Sequence, residues 1–196
     1  MAPLREGVVD PEVARRIKLL GLDVDGVMTD AGLYIGMVGD HPAELKRFDI
    51  QDGVGTRLLQ DAGIEIVIVS GRMSRATTLR AQELGVTDVV QDDQARKLPA
   101  FEETMARHDV TWEEAAFMGD DLPDLPLLTR VGLPVGVQNA VPEVREVVHY
   151  LTEARGGHGA IREFAEVFLK ARGEWDRTVE EYLRLRGEPA VVGHAR

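Results

Sequence analysis

A chain of 196 residues, 44% hydrophobic and 29% charged, is long enough for one ordinary domain with a proper buried core. A formal net charge of −11 and a pI near 4.9 exclude nucleic acid and anionic membrane as expected partners, since no basic stripe survives that balance. An anionic substrate would need a local basic pocket, and with no cysteine present neither a disulfide nor a thiolate site is possible.

Residues 1–13 carry Arg5, Glu6, Asp10 and Glu12 with no apolar h-region, and read as a disordered leader rather than a secretory signal. No apolar run reaches the ~18 residues of a membrane span. A soluble cytoplasmic protein is therefore expected.

The apolar run Ile17 to Leu22 predicts a buried strand that ends in Asp23-Val24-Asp25-Gly26. Two acids two residues apart at such a strand end concentrate negative charge that a cation has to answer. Residues 33–48, with turn-forming Gly36 to Ala43 between two apolar stretches, predict a hairpin projecting from the sheet. Asp49 to Gly53 lead into a helix with Val54, Leu58 and Leu59 on its apolar face and Gly63 at its end. Ile64 to Val69 is an unbroken β-favouring run that ends in Ser70-Gly71-Arg72, as expected of a strand covered on both faces.

A helix capped by Ser74 runs to Leu84 and stops at Gly85, and Val86 to Val90 is a short strand. Lys97 opens a helix to about His108, and Thr111 with Glu114 forms a capping box on a single turn. Ala115 to Met118 is a strand ending in Gly119-Asp120-Asp121-Leu122-Pro123-Asp124; strand Leu133 to Val137, helix Pro142 to Val148 and strand His149 to Thr152 follow. Strands alternating with helices predict an α/β fold with a doubly wound parallel sheet over residues 14–172, and a C-terminal helical tail over 173–196 that frays from Gly187.

The strand ends and nearby loops thus offer Asp23, Asp25, Ser70, Lys97, Asp120, Asp121 and Asp124. So many hard oxygen ligands select Mg²⁺ over a softer metal, and Mg²⁺ favours bridging carboxylates to a phosphate. Lys97, the Ser70 hydroxyl and the N–H groups of Gly71 and Arg72 suit the remaining phosphoryl oxygens. One carboxylate is left to attack phosphorus.

This set and its order resemble the haloacid dehalogenase superfamily of phosphohydrolases over roughly residues 17–171. The resemblance rests on Asp23-Val24-Asp25-Gly26-Val27, Ser70, Lys97 and Gly119-Asp120-Asp121 with Asp124. It implies that Asp23 is the nucleophile and Asp25 the general acid and base. It further implies that Asp23, Asp120 and the Asp25 backbone carbonyl hold Mg²⁺, supported by Asp121 or Asp124.

A finer resemblance is to the 3-deoxy-manno-octulosonate 8-phosphate phosphatases, which serve lipopolysaccharide biosynthesis. It is carried by Asp23 to Asp30, Phe48 to Gly55, Val69 to Arg72, Lys97 to Phe101, Gly119 to Leu122 and Gly156 to Glu163. These enzymes are capless homotetramers, and about 21 residues between Phe48 and Ser70 leave this chain no room for a cap. The resemblance places substrate contacts at Asp25, Asp49, Ile50, Gln51, Asp52, Gly53, Gly71 and Lys97, and at the arginines Arg57, Arg72 and Arg80. His158 stands where many relatives carry another residue, often arginine.

Relatives also act on nine-carbon, sialic-type acid 9-phosphates, which gives a second substrate class. A rival from another class is a phospho-aspartate signalling module similar to a receiver domain. Asp25 favours the enzyme, because turnover needs a proton donor for the leaving alcohol and an acceptor for water. The apolar hairpin is too small to stay folded alone, so four copies are expected to pair into a homotetramer, with the segment beyond Ala171 reaching a neighbouring subunit.

Overall fold

The computed structural model describes residues 8–187. Its frame is a six-stranded, all-parallel sheet in the order β5-β4-β1-β6-β7-β8, made of β1 (Leu19–Leu22), β4 (Glu65–Ser70), β5 (Asp88–Gln91), β6 (Ala115–Gly119), β7 (Leu133–Gly136) and β8 (Tyr150–Leu151). Chain order runs outward from β1 through β4 to β5, then returns to the other side of β1 at β6. The reversal leaves a crevice at the carboxyl ends of β1 and β6, the position where ligands bind in such sheets. The expected doubly wound α/β architecture is what the chain adopts.

β1 is buried along its whole length, and in β4 Val67, Ile68 and Val69 have no exposed surface, as expected of strands covered on both faces. Gly21 interrupts the apolar run for a packing reason. A Cβ there would lie 2.5 Å from the Phe117 ring and 2.6 Å from that of Phe101, which meet edge to face across it.

One helical layer holds α1 (Pro11–Arg16), α2 (Ile50–Asp61), α3 (Arg75–Leu84), α7 (Ala160–Arg172) and α8 (Trp175–Arg184); α7 packs on α1, α2 and α8, and α2 on α3. The other layer holds α4 (Lys97–Arg107), α5 (Leu125–Leu128) and α6 (Pro142–Arg145), packed in that order. This division follows from right-handed crossovers running in opposite directions from β1. Caps fall where the sequence placed them: the Ser74 hydroxyl accepts from the Thr77 N–H, Gly85 is left-handed, and Thr111 and Glu114 form the capping box.

Three expectations change. The leader expected to extend to Val13 is helical from Pro11: Asp10 caps α1, Val9 and Ala14 are buried, and Arg172 donates to the carbonyls of Ala14 and Ile17 at 3.0 Å. Residues 1–7 lie outside the described residues, as does the segment beyond Gly187 that is expected to fray. α7 was not anticipated, although Ile161, Phe164, Ala165, Phe168 and Leu169 are buried at helical spacing. α8 packs on α2 and α7 of its own chain, with Trp175 beneath the Arg162 guanidinium. The helix from Pro142 ends at Arg145 rather than Val148.

The hairpin stands apart from the main sheet as β2 (Tyr34–Val38) and β3 (His41–Leu45), antiparallel, turning at Gly39-Asp40. No described helix is long and apolar enough to cross a membrane.

Candidate active site

Three strand ends meet at the crevice. Leu22 pairs with Ile68 and Met118, so Asp23 follows β1 beside Ser70 at the end of β4 and Asp120 just past β6. Lys97 enters from the first turn of α4, and its ammonium donates to Asp23 Oδ1 at 2.5 Å and to Asp124 Oδ1 at 2.7 Å. Asp23, Ser70, Lys97, Asp120 and Asp124 are all buried. Carboxylate oxygens of Asp23, Asp120 and Asp124 lie within 4.8 Å of one another.

The short turn Asp121 to Leu125 decides which of the two neighbouring acids supports the cluster. Asp124 Oδ2 accepts from the N–H groups of Asp120 at 2.9 Å and Asp121 at 3.3 Å, whereas the exposed Asp121 carboxylate turns outward to the N–H of Leu122. Asp124, with both oxygens engaged, fixes its neighbours, and with Asp23 and Asp120 it forms a group of carboxylates that could hold a cation.

After Asp23 the backbone makes a wide turn over Val24–Met28, closed by the Thr29 N–H on the Val24 carbonyl at 3.0 Å. Gly26 adopts φ 102°, and a Cβ there would fall 2.0 Å from Asp120 Oδ2, so glycine is required by conformation and by space. Asn139 then ties the turn down. Its amide donates to the Gly26 carbonyl at 2.9 Å and accepts from the Gly156 N–H at 2.7 Å. Gly157, at φ 65°, donates to the Val27 carbonyl.

Three buried carboxylates face one ammonium, and protonation of the acids reflects the imbalance. Burial pushes Asp23 up to about 7, with Asp124 adding to the rise and Lys97 opposing it. Burial, Asp23 and Asp124 push Asp120 up to about 8. Burial alone would lower Lys97, but the two carboxylates outweigh it and hold the ammonium charged beyond its ordinary range. Asp120 Oδ1 is buried with no hydrogen-bond partner among the described residues. An unpartnered buried oxygen in an excess of carboxylates is a fit for a hard divalent cation.

The family profile described as haloacid dehalogenase-like hydrolase matches residues 88–163. A 3-deoxy-D-manno-octulosonate 8-phosphate phosphatase of Yersinia pestis is 39% identical over 170 residues, 87% of this chain and 88% of that protein. The chain belongs to the haloacid dehalogenase-like hydrolases. The fold is similar to that of the 3-deoxy-D-manno-octulosonate 8-phosphate phosphatase of Moraxella catarrhalis, solved in complex with magnesium ion, phosphate ion and a KDO molecule. That similarity has a TM-score of 0.81 at 34% identity and covers 88% of this chain and 97% of that one. A HAD superfamily (subfamily III A) hydrolase of Legionella pneumophila gives 0.82 at 39% identity, covering 89% and 93%.

Beyond the acid cluster, the site has a polar rim. Asp25 turns away from the acid cluster, and both its oxygens accept from the Lys46 ammonium at 2.7 and 2.9 Å. Ser70 Oγ, buried at the end of β4, accepts from the Arg72 N–H at 3.2 Å. Gly71 lies against Ala95, close to the Lys97 stem. Arg72 reaches the hairpin residue Glu44 at 3.2 Å.

Other expected contacts are engaged elsewhere. Asp49 caps α2 through the Gln51 N–H. Asp52, 4% exposed, accepts from the N–H groups of Gly159 and Arg162, so it anchors the start of α7. Arg80 donates to the Asp49 carbonyl at 2.8 Å and pairs with Glu83. Arg57 pairs with Asp61, and both arginines line a groove with Ile50, Gly53 and Tyr182 rather than the acid cluster. Gln51 and His158 share a second hollow beside α7. The residues that sequence reasoning missed are Lys46, Glu44 and Asn139. Only Asn139 carried a usable sign, as a polar residue just beyond a buried strand.

Proposed function

We propose that this chain is a Mg²⁺-dependent phosphomonoesterase that hydrolyses 3-deoxy-D-manno-octulosonate 8-phosphate to the free sugar acid and phosphate. The observation that carries the reading is the buried set of Asp23, Asp120 and Asp124 around Lys97, with one Asp120 oxygen unpartnered, in a chain 39% identical to a phosphatase of that substrate.

Asp23 and Asp120, with the Asp25 carbonyl, would hold Mg²⁺. The ion would neutralise phosphoryl oxygens and keep the two acids ionised together. Asp23 is the group placed to attack phosphorus: one of its oxygens bonds to the phosphoryl group, and the bond to the sugar oxygen breaks. Asp25 gives that leaving oxygen its proton. Water then attacks the aspartyl-phosphate, Asp25 takes a proton from it, and Asp23 is released as phosphate departs. Lys97 holds Asp23 in place and balances its charge, while Ser70 and the N–H groups after it suit the remaining phosphoryl oxygens.

The working form proposed is a homotetramer. Tyr34, Ile35, Met37, Val38 and Leu45 of the hairpin are each more than 60% exposed, an apolar surface that pairing between copies would cover. A cytoplasmic location accords with a substrate carrying a phosphate and a carboxylate, which crosses no bilayer unaided.

The test is phosphate release with Mg²⁺ over a panel of sugar phosphates that includes the eight-carbon acid 8-phosphate and nine-carbon acid 9-phosphates. The highest kcat/KM is expected for the eight-carbon ester, with turnover lost in Asp23→Asn and reversibly lost on chelation. Preference for a nine-carbon ester would reassign the substrate, and turnover in Asp23→Asn would remove the mechanism.

A further inference from the structure

The root of the hairpin enters the site from above. Lys46, just after β3, has a fully buried side chain, whereas the Asp25 side chain it meets retains about a third of its exposure (31%). The Lys46 ammonium spans both Asp25 oxygens and lies 3.8 Å from Glu44 Oε1. Glu44 in turn accepts from the Ser74 hydroxyl at 2.6 Å and from Arg72 at 3.2 Å, which fastens the hairpin to the loop following Ser70. The next residue, Arg47, donates to the Gly157 carbonyl on the other side of the turn.

Asp25 has no other hydrogen-bond partner among the described residues. It stands at φ −81°, ψ 103°, immediately before the left-handed Gly26, so no regular element fixes its side chain. A lysine is not buried without reason: desolvating an ammonium is costly unless carboxylates surround it, and here the two that do are Asp25 and Glu44. An acid that must act at two positions in turn, first at the leaving oxygen and then at water, depends on orientation. A misplacement of about 1 Å can cost roughly a hundredfold in rate.

We propose that Lys46 is a positioning residue for the reaction, orienting the Asp25 carboxylate, with Glu44 bracing the lysine against Ser74 and Arg72. The proposal rests on the phosphatase reading above. Through it the hairpin, otherwise an outlying ribbon, supplies the element that aims the proton-transfer group. The chain's own hairpin thereby takes part in the work an inserted cap would do.

The experiment compares two esters in Lys46→Met with Mg²⁺ saturating. p-Nitrophenyl phosphate expels a phenolate that needs no proton, so its pre-steady-state burst reads phosphoryl transfer to Asp23 alone. Release of the octulosonate from its 8-phosphate needs the Asp25 proton. Lys46→Met is expected to slow that release at least tenfold while leaving the p-nitrophenolate burst rate and the Mg²⁺ affinity within twofold, and Lys46→Arg is expected to recover most of the loss. Equal losses on both esters, or no loss on either, would overturn the proposal. Should Lys46→Met lose its native circular dichroism, Glu44→Gln, which keeps the lysine but removes one charge of its brace, is read by the same comparison. A smaller loss confined to the octulosonate ester supports the proposal, and a uniform loss or none opposes it. Asp23→Asn is run alongside: an active Asp23→Asn would show the mechanism itself to be misassigned, whereas an inactive one leaves the result to Lys46.

Discussion

The acid cluster at the sheet edge and the polar rim above it are built on different physical terms. In the cluster, Asp23, Lys97 and Asp124 are buried and fixed by strand ends and the first turn of α4. Outside it, Arg72 on the rim and Arg57 and Arg80 in the groove beside α2 reach hairpin or helix partners through long side chains, and Arg57 and Arg72 are about half exposed. Charge in the cluster is costly to leave uncompensated, so its geometry is over-determined. Exposed rim charges are solvated, and each pair contributes little to the fold. On the proposed function, the chemistry sits in the first region and recognition of the rest of the substrate is left to the second.

The sharpest way to break the contrast is to remove the one cation of the cluster. Lys97→Met leaves Asp23 and Asp124 buried without their shared donor. Deleting one partner of a buried ion pair costs about 3–5 kcal/mol, and the loss should register as a lower urea midpoint. Turnover should fall by about three orders of magnitude or more, because Asp23 loses the group that orients it. A variant as stable and as active as the parent would mean that the cluster is not the organising element.

Why the cluster was legible and the rim was not follows from the same contrast. Asp23, Ser70 and Asp120 end apolar strands, so their convergence follows once the strands are parallel and adjacent. Lys97 opens a helix that returns over that edge. The choice between Asp121 and Asp124 was not readable, since it depends on a single turn that aims one acid inward at two N–H groups and the other outward at one. Lys46 and Glu44 meet residues more than 20 positions away along the chain, through a hairpin whose resting place on the sheet no local pattern encodes. The resemblance implies a substrate contact for Arg80, whose side chain is engaged with the Asp49 carbonyl in the structure. The helix α7 is legible in the helical spacing of Ile161, Phe164, Ala165, Phe168 and Leu169, all buried.

A gentler probe of the cluster is pH. Asp23 and Asp120 bind protons more tightly in the folded chain, at about 7 and about 8, than at the ordinary value of 3.8. Their contribution to stability is complete below that ordinary value and is lost as pH rises through about 7 to 8. In chelator, the urea midpoint should therefore fall between about pH 5.5 and pH 8.5. Saturating Mg²⁺ should flatten the fall, and titrating it in at about pH 6 should release protons, because bound carboxylates must ionise. A stability in chelator that does not fall across this range would show that the acids are ionised without a cation.

The smallest effect on the fold is expected among the exposed arginines, and Arg57 isolates it. Its pair with Asp61 is an i,i+4 contact on α2 at 2.8 Å, with the arginine side chain 54% exposed. Such a pair contributes about 0.3–0.5 kcal/mol, so Arg57→Ala should leave the urea midpoint nearly unmoved. Its function should separate from its structure. If the guanidinium leaves Asp61 to take the substrate carboxylate, the loss is one charge-assisted hydrogen bond, about 1.5–3 kcal/mol, or roughly ten- to a hundredfold in KM for the octulosonate 8-phosphate. p-Nitrophenyl phosphate has no carboxylate and should keep its KM. Equal changes for both esters would place Arg57 outside recognition, and an unfolded variant would break the division between a cluster that holds the chemistry and a rim that reads the substrate.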